Sequence, residues 1–324
     1  MVFVMFVPFI LIALVANLAE LHKQYRWITT VLLALSNLLV LLSALLVLLI
    51  MVASASGNLP LDALPFEPQW GTTSLVLGLT GLAGFVPLVS AVRRWMARAL
   101  EIDPESAVHT TALVFAVYLL GLTLAQLPLL GGLEGLEDLD VPLGSQELWL
   151  QALALLLLGL IGVGLGLRRG TRETSQRLGL RWPTWRIWLG VVALVVLLEA
   201  LDYGVAAAWS TLHLASYERI GRISEALFGG FLSPWGALAV GIAAGLSEET
   251  LFRGALQPRF GLLLTSLLFA ISHIQYGFSP AILVVLIIGL VLGWVRERWG
   301  LVAAIAIHAL YNMVNLLLAS LWPQ

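Results

Sequence analysis

The sequence contains no cysteine. That excludes disulfides, a thiolate nucleophile, Cys-ligated zinc and lipidation at sulfur. Charge is also scarce: Asp, Glu, Lys and Arg make up 11% of the 324 residues, where a soluble domain carries about 25%. With a net charge of −2 there is no basic footprint, and no nucleic-acid partner is expected. The motifs of several membrane-embedded hydrolases are missing too. There is no His-Glu-x-x-His helix and no Gly-x-Gly-Asp. Gly245-Leu246-Ser247 runs into Glu248, where a serine nucleophile motif would need glycine.

What the chain has instead is apolar length. Hydrophobic residues make up 60%, and the mean hydropathy is +0.97. A bilayer core about 30 Å thick needs roughly 20 apolar residues per helix. Ten stretches qualify, at about 2–20, 28–52, 72–92, 107–130, 147–167, 187–212, 235–256, 262–278, 280–295 and 300–320. The expected fold class is therefore all-α: a polytopic transmembrane helix bundle of about 8–10 spans, with the lipid bilayer as its first partner. The first basic residue, Lys23, follows the first apolar run. That run reads as a retained helix rather than a cleaved signal.

Basic residues segregate. When the loops are assigned to alternate sides, one side holds Lys23, Arg26, Arg93, Arg94, Arg98, Arg168, Arg169, Arg172, Arg177, Arg181, Arg186, Arg253, Arg259, Arg296 and Arg298. The other holds only Arg219 and Arg222, beside Asp62, Glu67, Glu134, Glu137, Asp138, Asp140 and Glu147. The positive-inside rule puts the Arg-rich loops in the cytoplasm and both termini outside. The loop 168–186, with Arg181-Trp182-Pro183, reads as an interfacial anchor. It divides N-terminal transmembrane helices without recognised motifs (1–180) from a C-terminal core (181–324). The segment 213–234 is polar enough to leave the bilayer as an outer amphipathic helix or a lid.

Ionisable residues inside a span are costly and mark functional sites. Here they gather in the last helices: Ser247-Glu248-Glu249-Thr250-Leu251-Phe252-Arg253, Phe269-Ala270-Ile271-Ser272-His273, and His308-Ala309-Leu310-Tyr311-Asn312. Counted from the basic boundaries, Glu248, His273, His308 and Asn312 fall roughly 12–18 Å deep at 1.5 Å per residue. Glu249 and Arg253, at i,i+4, share a face, as do His308 and Asn312. Arg253 can neutralise and hold Glu249, whereas Glu248, rotated by about 100°, lacks that partner. A carboxylate in a low-dielectric site can act as general base toward water. His308 and Asn312 can donate to a developing oxyanion, and His273 can orient the water or support that oxyanion. Gly289 and Gly293 form a small-xxx-small pair that permits close helix approach. Two other classes remain open from these residues. One is a proton-coupled transporter using Glu199, Asp202, Glu248 and Glu249 as a relay; the other is a non-catalytic membrane scaffold. Glu199 and Asp202 are otherwise expected to be structural or gating.

At these residues the chain resembles the CPBP family of intramembrane endopeptidases, the CAAX-protease and abortive-infection group. That family's pattern is Glu-Glu-x-x-x-Arg, Phe-x-x-x-His, a glycine-bearing helix and His-x-x-x-Asn. The matching residues are Glu248 to Arg253, Phe269 to His273, Gly289 with Gly293, and His308 to Asn312, over roughly 235–315. The resemblance implies hydrolysis of a peptide bond by a water activated at Glu248. His273, His308 and Asn312 would complete the site, with Glu249 and Arg253 supporting it. It implies a peptide or prenylated-protein C-terminal substrate and an integral protein of a bacterial inner or plasma membrane. The family is often called a metalloprotease group, yet the resemblance favours a glutamate-activated water with no metal or only a labile one. A divalent metal such as zinc, if bound, would be held by Glu248, His273 and His308.

Overall fold

The computed structural model describes residues 2–57, 59, 66–138 and 142–321. Asp62 and Asp140 lie outside the described residues. Among the described residues there are helices and turns but no strand. The helices are α1 (Val2–Leu21), α2 (Arg26–Ala55), α3 (Trp70–Ala83), α4 (Ser90–Met96), α5 (Ala107–Leu129), α6 (Leu133–Asp138) and α7 (Ser145–Gly162). They continue with α8 (Thr171–Leu178), α9 (Trp185–Leu212), α10 (Leu214–Phe228), α11 (Pro234–Glu249), α12 (Gln257–Ile271), α13 (Pro280–Arg298) and α14 (Leu301–Leu321).

Nine helical stretches among the described residues are long and apolar enough to cross a membrane. Ten spans are expected from the sequence, and the difference lies in Pro234–Ile271, which forms one continuous stretch of 38 residues. This stretch doubles back at Gly261, whose backbone (φ 76°, ψ 170°) is non-helical. The reversal shows in the packing. Arg253, before the turn, and Ser266 and Phe269, after it, all lie against Gly289; Gln257 and Leu262 both lie against Gly293. A positive φ costs glycine nothing, which is why this residue turns the chain. The return arm is helical only to Ile271, about half a bilayer at 1.5 Å per residue. His273 follows directly, so it sits at mid-depth rather than on a full span.

The Arg-rich loops do gather at one end. Glu101 N donates to Arg259 O, Leu301 N to Gly179 O, and Arg181 Nη2 to Glu297 O. At the other end Arg219 and Arg222 pair with Glu134, Glu137 and Glu218, which ties α6 to α10. The segment expected to leave the bilayer forms α10, whose Ile220 and Ile223 bury against Trp209 while Glu218, Arg222 and Glu225 stay exposed. Large apolar side chains such as Leu39, Leu42 and Leu46 stand more than half exposed on α2. A surface of that kind belongs against lipid. Exposed Trp27, Trp95, Trp182 and Trp185 ring the Arg-rich end, as interfacial tryptophans do. The chain has the architecture of an integral membrane protein.

The N-terminal helices pack directly on the C-terminal ones. Gly159 of α7 lies so close to the backbone of Thr250 and Leu251 that a Cβ there would come within 3.2 Å of Leu251 Cα. On the far side of the site, Val191, Val195 and Leu198 of α9 form one core with Val284, Ile288 and Leu292 of α13 and Ile307 of α14.

Candidate active site

The site is built from a glycine stripe on α11. Gly241 and Gly245 share one face with Glu249, at i,i+4,i+8. Both glycines meet α14 at close range: a Cβ on Gly245 would lie 2.9 Å from Ile305 O and from Ala309 Cβ. The stripe brings the helices together and turns Glu249 toward α14. There His308 Nδ1 donates to Glu249 Oε1 at 2.8 Å. Arg253 Nη1 donates to the same oxygen at 3.0 Å. Arg253 also donates from Nη2 to Gly289 O at 3.2 Å and lies 4.0 Å over the Phe269 ring. Glu249 and Arg253 are both fully buried. This ion pair fixes three helices and the return arm around one point.

Glu248, one residue earlier, points elsewhere. Its side chain is 19% exposed, that of His273 is 20% exposed, and Glu248 Oε2 stands 3.8 Å from His273 Nε2. His273 Nδ1 lies 2.9 Å from Phe269 O. A carbonyl oxygen only accepts, so Nδ1 carries the proton, and a neutral imidazole then presents the Nε2 lone pair to Glu248. Two acceptors thus face each other at 3.8 Å, a spacing that one bridging donor molecule fits. Tyr276 stacks parallel to the His273 ring at 6.4 Å and holds its plane.

Glu248, His273, His308 and Asn312 all line one cavity of about 1730 Å³. The structure therefore brings the four sequence-singled residues together, but not on equal terms. Glu248 and His273 face each other across the cavity. His308 has committed one ring nitrogen to Glu249, a partnership not expected from the sequence, where His308 pairs by spacing with Asn312 alone. Between Glu249 and Thr250–Leu256 the helix changes register to a π-helix, with Gln257 N donating to Phe252 O. Such register shifts recur at functional sites, and the composition of the segment gives no sign of this one. A second group of polar residues lies one turn along α14: Tyr311 Oη and Asn315 Nδ2 both donate to Asp202 Oδ2, at 3.0 and 3.1 Å. Asp202 therefore has fixed partners, while both oxygens of buried Glu199 lack any among the described residues.

The residues do not fit the implied metal. A catalytic zinc takes three protein ligands. Among the described residues no group of three or more His, Asp or Glu side chains is spaced to hold an ion.

Residues 230–314, from the turn before α11 to the second half of α14, match the family model of type II CAAX prenyl endopeptidase Rce1-like proteins. The chain resembles the Rce1-like endopeptidases. The match takes in the Rce1-like helices α11 to α14 and every residue of the Glu248–His273 pair and the Glu249–Arg253–His308 group. It stops short of α1 to α10. No curated protein and no solved structure matches the chain.

Proposed function

We propose that the chain is an intramembrane endopeptidase that cleaves the C-terminal region of a membrane-associated, prenylated or unprenylated, protein or peptide. The observation that carries this reading is the pair of acceptors Glu248 Oε2 and His273 Nε2 at 3.8 Å, at mid-depth in the cavity. The Rce1-like match over the same helices supports it.

A water between the pair donates one hydrogen to Glu248 and the other to His273. Glu248 takes its proton as the water oxygen attacks the scissile carbonyl carbon. The carbonyl π electrons move onto oxygen, where the Asn312 amide N–H stabilises the oxyanion. The Nε2–H of His308 adds a second donor when that ring carries both protons. Collapse re-forms the carbonyl and breaks the C–N bond; Glu248 returns its proton to the leaving amine. Glu249 and Arg253 touch no substrate in this scheme and position His308 and the return arm. No step is routed through a metal.

The test is cleavage of farnesylated and unmodified C-terminal peptides by the purified protein. Glu248→Gln should lower the rate about 10²–10⁴-fold without changing its thermal unfolding. Cleavage retained by Glu248→Gln would reject the assigned base, and no cleavage of any peptide would favour a non-catalytic scaffold. The same assay after exhaustive chelation should give an unchanged rate, with no zinc found by elemental analysis.

A further inference from the structure

Four arginines line the same cavity as Glu248, at its Arg-rich end: Arg168, Arg169, Arg177 and Arg259. Among the described residues none of them has a carboxylate within ion-pair distance. Two acids share the lining at that end, Glu20 and Asp103, and both accept hydrogen bonds elsewhere; Glu248, Asp202, Glu218, Glu225 and Arg222 line the rest of the cavity. Glu20 Oε1 accepts from Ser106 Oγ and Val108 N, and Asp103 Oδ1 accepts from Glu105 N. The formal sum of the four arginines with Glu20 and Asp103 is +2.

The guanidinium groups are held in place, not left to wander in solvent. Arg177 donates to Gly254 O at 3.1 Å and Ala255 O at 3.2 Å, carbonyls within the π-helical turn. Arg259 donates to Glu101 O at 3.1 Å, Arg168 to Asn17 Oδ1 at 2.7 Å, and Arg169 to Val163 O. Each guanidinium has five N–H groups, so most of the donors in the group are uncommitted. All four residues are half-buried. Burial, then the charges of Arg259, Arg169, Arg296 and Arg168, lower the Arg177 guanidinium to about 10. Like charges fixed together in a half-buried group, in excess over the two carboxylates beside them and with none in ion-pair contact, form a receptor for an anion.

Resting on the endopeptidase reading above, we propose that Arg168, Arg169, Arg177 and Arg259 bind the terminal carboxylate of the substrate chain. The geometry favours this occupant over a phospholipid headgroup. The arginines line the cavity that holds Glu248, and their guanidinium groups turn to the protein's own carbonyls instead of extending toward a headgroup layer. The spacing agrees. Gly254, where Arg177 is anchored, follows Glu248 by six residues, about 9 Å of helix. An extended segment of about three residues covers that distance. Three of the four arginines precede residue 230, so they lie outside the Rce1-like match. The N-terminal half thus acquires a role: it supplies most of the anion site, while the matched helices supply the hydrolytic one.

The experiment uses the full-length protein in nanodiscs of zwitterionic lipid. A dye-labelled farnesylated peptide ending in a free carboxylate is compared with the same peptide ending in an amide, by equilibrium binding. The free acid should bind about tenfold or more tightly. Arg177→Gln should reduce its affinity to that of the amide, and so should the paired variant Arg168→Gln/Arg259→Gln, which leaves the π-helical carbonyls their partner. Equal binding of acid and amide by the wild type overturns the proposal. So does an acid preference that survives both variants. If the variants instead lose co-purifying anionic lipid, with no change in the acid-to-amide ratio, the arginines form a headgroup site and the proposal fails. Cleavage is read separately. A protein that cuts acid and amide alike retains the hydrolase and loses the carboxylate site. One that prefers the acid but cuts neither loses the hydrolase and retains the carboxylate site.

Discussion

Glu248 and Glu249 are neighbours in sequence with opposite surroundings. One turns into the cavity toward His273; the other is fully buried between Arg253 and His308. Adjacent carboxylates in such different environments separate reaction chemistry from scaffold. Removing one partner of a buried pair strands the other charge and costs about 3–5 kcal/mol. Arg253→Met should therefore lower the unfolding midpoint sharply in a thermal shift assay, while Glu249→Gln/Arg253→Met should recover part of the loss. A double variant no more stable than Arg253→Met alone would show that the pair acts through packing, not charge. Asn312→Ala should lower kcat about 10²-fold with KM unchanged. A rise in KM alone would move Asn312 from oxyanion to substrate binding.

At the scale of elements, three backbone features position these side chains. The Gly241–Gly245 stripe sets the distance between α11 and α14. The π-helical turn re-phases the chain so that Gln257 Nε2 reaches Gly293 O at 2.9 Å. Gly261 then reverses it. Deleting Ala255 should restore α-helical register and rotate Gln257 and the return arm by about 100°. Helicity by circular dichroism should be unchanged while cleavage falls at least tenfold. Full activity in that deletion would mean that the return arm finds His273's place without the π-turn. Gly293→Val should be worse still, because even a Cβ there collides with Leu262 and sits 2.8 Å from Gln257 Oε1. The expected readout is loss of folded protein in size-exclusion chromatography.

At the scale of the molecule, the Arg-rich loops lie at one end of the bundle and the ion-paired α6–α10 contact at the other. The absence of native cysteine makes orientation directly measurable. Arg172→Cys and Glu134→Cys place single thiols on exposed positions at the two ends. With a membrane-impermeant maleimide on intact cells, the Glu134→Cys protein should label and the Arg172→Cys protein should label only after permeabilisation. The reverse pattern would invert the topology and move the proposed carboxylate site to the outer face. α10 caps the cavity at the acidic end, so substrate is expected to reach Glu248 laterally or from the Arg-rich end.

The sequence alone specifies the all-helical membrane architecture, because hydrocarbon forces every backbone polar group into local pairing and demands long apolar runs. The segregation of basic loops, the Glu249–Arg253 pair and the common depth of Glu248, His273, His308 and Asn312 are legible there too. These follow from helical rise and period alone. What each polar group faces emerges from the packing of distant segments. The reversal near Gly261 was legible as the gap between the seventh and eighth spans, but the π-turn changes phase without altering hydropathy, and the return arm stops being helical at Ile271 inside an apolar stretch read as 262–278. The bond from His308 to Glu249 joins α14 to α11 through a glycine contact that spacing within either helix cannot reveal. The four arginines likewise come from two distant segments, the 168–186 loop and the turn before Gly261, and their convergence on Glu248's cavity depends on how α1, α5 and α7 pack against the last helices.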